Sequence, residues 1–303
     1  MRPIEDIISD IEAQSAQHTG QSFKSCFLQD GDALVLKTDY LLKILDALHH
    51  YFPTLESVTT YARADSITRK SLSELKVLRE HGLNHLYCGM ETGSDRVLQL
   101  INKGFDSNTV IQSGCLAKEA DMILSEFILL GIGGKEFSEE NARKTADALN
   151  IIQPDFIRVH AVGFKPESMM WQLIQDGTIS LQSEEEIVRE QRLFLQCLKE
   201  MNSYYVNEHI VNLLLEVRGD LLSEKSQMLS AINRFLNLPP EERLLFAIGR
   251  RFNMFFFLED LQKPNLRSQA QLYMDEIKKK NPNMDFAFLC NYCLLYTSPS
   301  PRD

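Results

Sequence analysis

The chain has 303 residues, 44% hydrophobic and 24% charged, enough for one large domain with an appendage or for two ordinary domains. Its formal net charge of -10 at pH 7, with no long Lys/Arg run, excludes a broad nucleic-acid or anionic-membrane footprint, because phosphate would be repelled. No signal-peptide pattern opens it and no apolar stretch is long enough to span a bilayer, so a cytoplasmic setting is expected.

Ile4, Ile7, Ile8 and Ile11 recur at helical spacing and predict a first helix from Pro3 to about Gln17. A short strand over Ser22–Leu28 follows, ending in Gln29-Asp30-Gly31-Asp32. The pattern then repeats: a helix near Asp39–Tyr51, a strand near Ser57–Tyr61, and a helix near Ser71–His81 closed by Gly82. His85–Gly89 reads as a strand, Ser94–Asn102 as a short helix, Thr109–Ala120 as a helix and Ile123–Leu130 as an apolar strand. Glu139–Ile151 is helical with Ser138 as its N-cap, and Phe156–His160 is a further strand.

Apolar strands alternating with helices indicate a parallel sheet covered on its outside. Polar or glycine residues follow nearly every strand, which favours a barrel over an open sheet with its site at one switch point. The series starts with a helix, so the strand that should precede it is missing, and its absence would bare a sheet edge. The expected fold is therefore α/β, a partial (β/α)6 barrel lacking its first strand, over residues 1–180. Truncation at the N-terminus, with Met1 an internal methionine, is the expectation that follows.

Beyond Gly177 strand signals stop, and residues 181–292 are expected to form a helical C-terminal region. Its helices are predicted at Ser183–Met201, with Ser183 and Glu186 as a capping box, then Leu221–Leu236, Pro240–Gly249 and Leu266–Lys280. Residues 293–303 break with this pattern and resemble a translated sequencing-library adapter, so they are expected to be non-native. That reading removes Cys290-x-x-Cys293 as a motif. The remaining cysteines, Cys26, Cys88, Cys115 and Cys197, are isolated and read as buried free thiols.

Five groups could carry chemistry. In Asp30-Gly31-Asp32 a glycine allows close approach and carboxylates receive an ammonium group or a metal; the same residues also suit an ordinary turn. Glu91, within Gly89-Met90-Glu91-Thr92-Gly93-Ser94-Asp95, would accept from ligand hydroxyls or an amine, or be a solvated acid before a helix capped by Ser94 or Asp95. Gly131, Gly133 and Gly134 make a backbone surface for a flat base or a phosphate, or merely a tight turn. They fit neither the phosphate-loop nor the dinucleotide spacing. Tyr61 and Arg63 close one strand, while Arg158 and His160 share one face of another; a salt bridge or a core histidine is their alternative fate.

Taken in order, these segments resemble the radical S-adenosylmethionine superfamily, near the coproporphyrinogen oxidases and Elongator-type enzymes, from about Arg2 to Gly177. Phe27 to Leu34 resembles the second-strand Gly-Gly-Glu-Pro motif, with Gly31 and Asp32 at its second Gly and its Glu. Leu83 to Asp95 is similar to the fourth-strand signature, and Gly131 to Glu136 to the segment along the adenine. Phe164-Lys165-Pro166-Glu167-Ser168 resembles the segment after the sixth strand.

The resemblance implies bound S-adenosylmethionine and a [4Fe-4S] cluster that cleaves it reductively to a 5′-deoxyadenosyl radical. It implies an electron donor such as flavodoxin or ferredoxin, and cofactor contacts from Asp30, Gly31, Asp32, Tyr61, Arg63, Glu91, Gly131, Gly133, Gly134 and His160. The cluster needs a C-x-x-x-C-x-x-C run, which this sequence lacks, so the metal ligands are expected upstream of Met1 and the fragment alone to be inactive. The catalytic residues and the substrate are not named by the motifs. Two other readings remain open: a barrel lyase or hydrolase with its glycine loop on a phosphorylated metabolite, and a degenerate barrel serving as a binding module.

Overall fold

The computed structural model describes residues 2–162 and 169–280. The segment Phe164–Ser168 and the tail 293–303 therefore lie outside the described residues. In chain order the elements are α1 (Ile4–Gln17), β1 (Ser25–Asp32), α2 (Thr38–Tyr51), β2 (Ser57–Ala62), α3 (Ala64–Ile67), α4 (Leu72–Glu80) and β3 (Leu83–Glu91). Then come α5 (Asp95–Leu100), α6 (Ser107–Glu119), β4 (Ile123–Leu130), α7 (Ser138–Ile152), β5 (Phe156–Ala161) and α8 (Met169–Gln175). The remainder is α9 (Glu184–Cys197), β6 (Tyr204–Val206), β7 (Gly219–Asp220), α10 (Lys225–Leu236), α11 (Pro240–Arg251) and α12 (Pro264–Lys280).

The chain divides into two compact units. One holds the residues up to Glu91 together with Phe105–Phe127 and Ile151–Phe156. Within it the strands lie in the order β1-β2-β3-β4, and β1, β2 and β3 are parallel. Side chains alternate across the sheet. Val58, Thr60 and Ala62 of β2, with Leu86, Cys88 and Met90 of β3, are buried, as are Leu41, Ile44, Leu45 and Leu48 on α2 and Leu75 and Leu78 on α4. The opposite face is half-buried and aromatic. Phe27 meets Tyr61 at 4.9 Å and Tyr87 at 5.3 Å between ring centroids, and Tyr87 meets Phe127 at 5.6 Å.

Local chemistry sets the boundaries here. Ser71 caps α4 in a reciprocal box with Glu74, and Gly82 follows at φ 95°, the left-handed ending expected of it. Asp106 caps α6 by accepting from Thr109 N at 2.8 Å. Helix α1 buries none of its residues, and its isoleucines are half-exposed. Of the four described cysteines only Cys88 is buried; Cys26 and Cys197 are half-buried and Cys115 is exposed, which corrects the expectation of uniformly buried thiols. Cys115 lies on the outward face of an amphipathic helix, where hydrophobicity of the type does not decide position.

The other unit holds Thr92–Gly104, Ile128–Asn150 and the described residues from Ile157 onward. Its strand order is β4-β5-β6-β7, and β6 pairs antiparallel with β7, Tyr205 opposite Gly219. Strands therefore do not stop at Gly177. These two are three and two residues long, too short to show a period of two. The Ser183–Glu186 box opens α9 as expected, but the helix ends at Cys197 because Leu198 is already extended. Ser138 is not a cap: it is the first residue of α7, and its hydroxyl donates to Glu190 at 2.6 Å. Phe194, Tyr205, Phe235, Phe246 and Phe255 are fully buried and form the core of this region.

Candidate functional site

In the first unit the ends of β1, β2 and β3 carry the expected residues. Leu28 stands opposite Thr60 but Asp32 opposite Tyr61, so Gln29, Asp30 and Gly31 bulge out of the ladder. Gly31 sits in the bulge at φ 102°, a conformation that side chains other than glycine's resist. Beyond it, Asp32 accepts from Leu34 N through Oδ1 at 3.0 Å and starts the 3-10 turn Ala33–Val35. Its Oδ2 is shielded from solvent and has no hydrogen-bond partner among the described residues. Leaving a buried polar atom unpartnered costs about 1–3 kcal/mol, so this oxygen is poised to accept from an N–H donor.

Tyr61 lies beside Asp32 in the sheet register, with its ring against Phe27. Arg63 is engaged locally: its Nε is 3.0 Å from Asp65 and its guanidinium lies 5.3 Å from the centroid of the Phe105 ring. Glu91, the last residue of β3, has φ 64°. A left-handed non-glycine residue at a strand end stores about 1 kcal/mol or more and turns the chain sharply there.

In the second unit Gly131, Gly133 and Gly134 form a buried turn after β4, closed by Gly134 N donating to Gly131 O at 3.1 Å. The sides where Cβ atoms would stand face the chain's own Ile187, Phe137 and Ile179. Gly131 N donates to Glu190 Oε1 at 3.1 Å, so that amide already serves a carboxylate. Ser94 caps α5, accepting from Val97 N at 3.2 Å, and its hydroxyl donates to Glu140 at 2.6 Å. Gly93 packs against the backbone of α7, its N–H donating to Thr145 Oγ1 at 2.9 Å.

His160, near the end of β5, stacks on His209, a residue that motif reading missed. Burial first, then the charges of His209 and Arg158, hold its imidazole down to about 4. Arg158 and His160 alternate with buried Ile157 and Val159 and so share a face, as expected. Glu190, Thr145 and Asn212 were missed as well. Glu190 carried a signal: it falls between Ile187 and Phe194 on the apolar stripe of α9, where an acid is costly unless it is hydrogen-bonded.

The four described cysteines sit singly on β1, β3, α6 and α9. Among the described residues no group of three or more His, Cys, Asp or Glu side chains is placed to hold a metal ion. A [4Fe-4S] cluster therefore does not fit the residues described. The bulged turn at Gly31, with the partnerless Asp32 oxygen, does fit an ammonium group.

No family model matches the chain. Over 217 residues it is 21% identical to the heme chaperone HemW of Bacillus subtilis (strain 168), a match covering 70% of this chain and 56% of that protein. The chain thus spans about half the length of the curated relative it matches. The structure of coproporphyrinogen III oxidase (HemN) from Escherichia coli, a radical SAM enzyme, superposes with a TM-score of 0.53 at 17% identity, over 64% of this chain and 44% of that one. The archaeal Methanocaldococcus infernus Elp3 gives 0.49 at 15% identity, over 65% and 51%. The HemN likeness shows the fold alone: a partial barrel of the kind that enzyme contains.

Proposed function

We propose that this chain, which resembles the radical S-adenosylmethionine superfamily in sequence and fold, is the cofactor-cradling part of an enzyme that cleaves S-adenosylmethionine reductively. One observation carries the reading. At the end of β1 a bulged Gly31 and a buried Asp32 oxygen without a partner among the described residues offer an acceptor for the ammonium of an amino acid. In this reading Gly31 and Asp32 hold the methionine ammonium, with Tyr61 beside Asp32 in the sheet register. Glu91, in the same unit, is the proposed acceptor for the ribose; in the other unit, taken by itself, the Gly131–Gly134 turn offers a backbone surface suited to a flat base, and His160 a neutral imidazole. Arg63, engaged by Asp65 and Phe105, shapes the turn after β2.

When bound, S-adenosylmethionine supplies the radical chemistry, on reduction at a [4Fe-4S] cluster held outside the residues described. The chain's own part is to bind and orient: an acceptor for the ammonium, and aromatic rings on the sheet face that limit water. The substrate is left open. A cytoplasmic setting and an electron donor such as flavodoxin or ferredoxin belong to the same proposal; among the described residues no helix is long and apolar enough to cross a membrane.

The phosphate reading is disfavoured by the Gly131 amide, which is already bonded to the Glu190 carboxyl group and so is not offered to a phosphoryl group. The test is equilibrium dialysis of the full-length protein, with its cluster in place, against S-adenosylmethionine. Saturable uptake, lost in Asp32→Asn, is expected; that variant keeps an oxygen to cap Leu34 while removing the charge. No saturable uptake by the unsubstituted protein would overturn the proposal and favour a binding module.

A further inference from the structure

The glycine turn after β4 has almost no side chains of its own to fix it. Gly131 and Gly134 both have positive φ, and a glycine backbone is the most permissive there is. Its conformation must be imposed from outside, and one buried group reaches it. Glu190 on α9 is 2% exposed. Its Oε1 accepts from Gly131 N at 3.1 Å and Asn141 Nδ2 at 2.7 Å; its Oε2 accepts from Ser138 Oγ at 2.6 Å and Gln182 Nε2 at 2.9 Å.

The donors come from the turn, from the first two turns of α7 and from the segment before α9. Asn141 Nδ2 also donates to Leu129 O at 3.1 Å, which ties the end of β4 to the same knot. A carboxylate is the side chain that matches this set, because two oxygens offer about four acceptor positions and no hydrogen to clash with a donor. All four donors are neutral. Burial raises the carboxyl's proton affinity and the four hydrogen bonds oppose that rise.

We propose that Glu190 is a positioning residue that fixes the Gly131–Gly134 turn, so that the helical region builds part of the barrel's ligand surface. The value of that surface to a nucleoside rests on the function proposed above; the fixing of the turn does not.

The test is amide hydrogen exchange of the chain as it stands, followed by mass spectrometry, with Glu190→Gln and Glu190→Ala. In Glu190→Ala the amides of residues 129–136 should exchange about tenfold faster or more, the factor that losing one hydrogen bond gives. Glu190→Gln, which keeps the volume and one acceptor oxygen, should restore part of the protection. Strand β2 should exchange at the wild-type rate in both. Wild-type exchange of the turn in Glu190→Ala, or equal loss in the two variants, would overturn the proposal.

If Glu190→Ala exposes β2 as well, Glu190→Gln decides: acceleration confined to the turn supports the role, and none overturns it. In the full-length protein the dissociation constant for S-adenosylmethionine should rise in the same order. Absence of binding by the unsubstituted protein would sink the functional proposal while leaving the exchange result intact.

Discussion

The imidazole of His160 lies nearly parallel to that of His209, ring centroids 4.1 Å apart and planes 17° apart. Two stacked imidazoles at this distance cannot both be charged without strong repulsion. Burial lowers the proton affinity of both, and Arg158 adds to the effect at His160. The arrangement is built by neighbours. Asn212 accepts from Ala161 N at 2.7 Å and donates to Val159 O at 2.6 Å, binding its loop to β5 on either side of His160. Arg250 of α11 donates to Asn212 O at 2.9 Å and Leu213 O at 3.1 Å, which holds that loop in turn.

A pH dependence follows. The His160 imidazole is depressed from 6.5 to about 4 in the folded chain, so the unfolded chain binds the proton first. Stability should therefore fall as pH drops from the ordinary histidine range through about 4, and level off below. Urea midpoints at pH 7, 5.5 and 4.5 should decline, and the decline should be shallower in His160→Gln. An equal slope in that variant would show that the pair does not drive it.

The ion pair between Arg251 and Glu184 is buried, with Arg251 Nε 2.7 Å from Glu184 Oε1, and Arg251 also donates to Val211 O at 3.0 Å. Removing one member leaves the other charged and dry. Arg251→Met should destabilise by about 3–5 kcal/mol in chemical denaturation, and adding Glu184→Gln should recover part of the loss.

Two glycines should respond differently to alanine. At Gly93 a methyl group would stand 2.2 Å from Lys144 O and 2.9 Å from Thr145 Cα, both backbone atoms that cannot give way. Gly31 at φ 102° has open space around it. Gly31→Ala should cost about 1–2 kcal/mol from backbone strain alone. Gly93→Ala should cost about 3 kcal/mol or more. Thermal melts rank the two, and the reverse order would contradict the packing of Gly93 against α7.

Anaerobic reconstitution of the chain with iron and sulfide should leave it below one [4Fe-4S] cluster per molecule, because its described cysteines are scattered on four elements. Iron and acid-labile sulfide analyses check this. Full occupancy would mean that the ligands had been misplaced.

Much of this protein was legible before folding. Alternating apolar strands and amphipathic helices predicted the β/α order through β5, because periodicities of 2 and 3.6 are properties of local backbone geometry. The capping boxes at Ser71 and Ser183 follow from side chains three residues apart; the second of them was read directly. The β6–β7 pair was not legible, since three residues against two carry no period.

Nor were the partners of Glu190 and His209, which are distant in sequence: the apolar stripe of α9 marks Glu190 as unusual, but Gly131 lies 59 residues before it. The residue types alone marked the turns at Gly31 and at Gly131 as candidates. Only the tertiary structure decided that the Gly131 amide is already given to a carboxylate while one oxygen of Asp32 has no donor among the described residues. Hydrogen bonds are satisfied by whatever the fold brings within about 3 Å, and sequence spacing does not specify that.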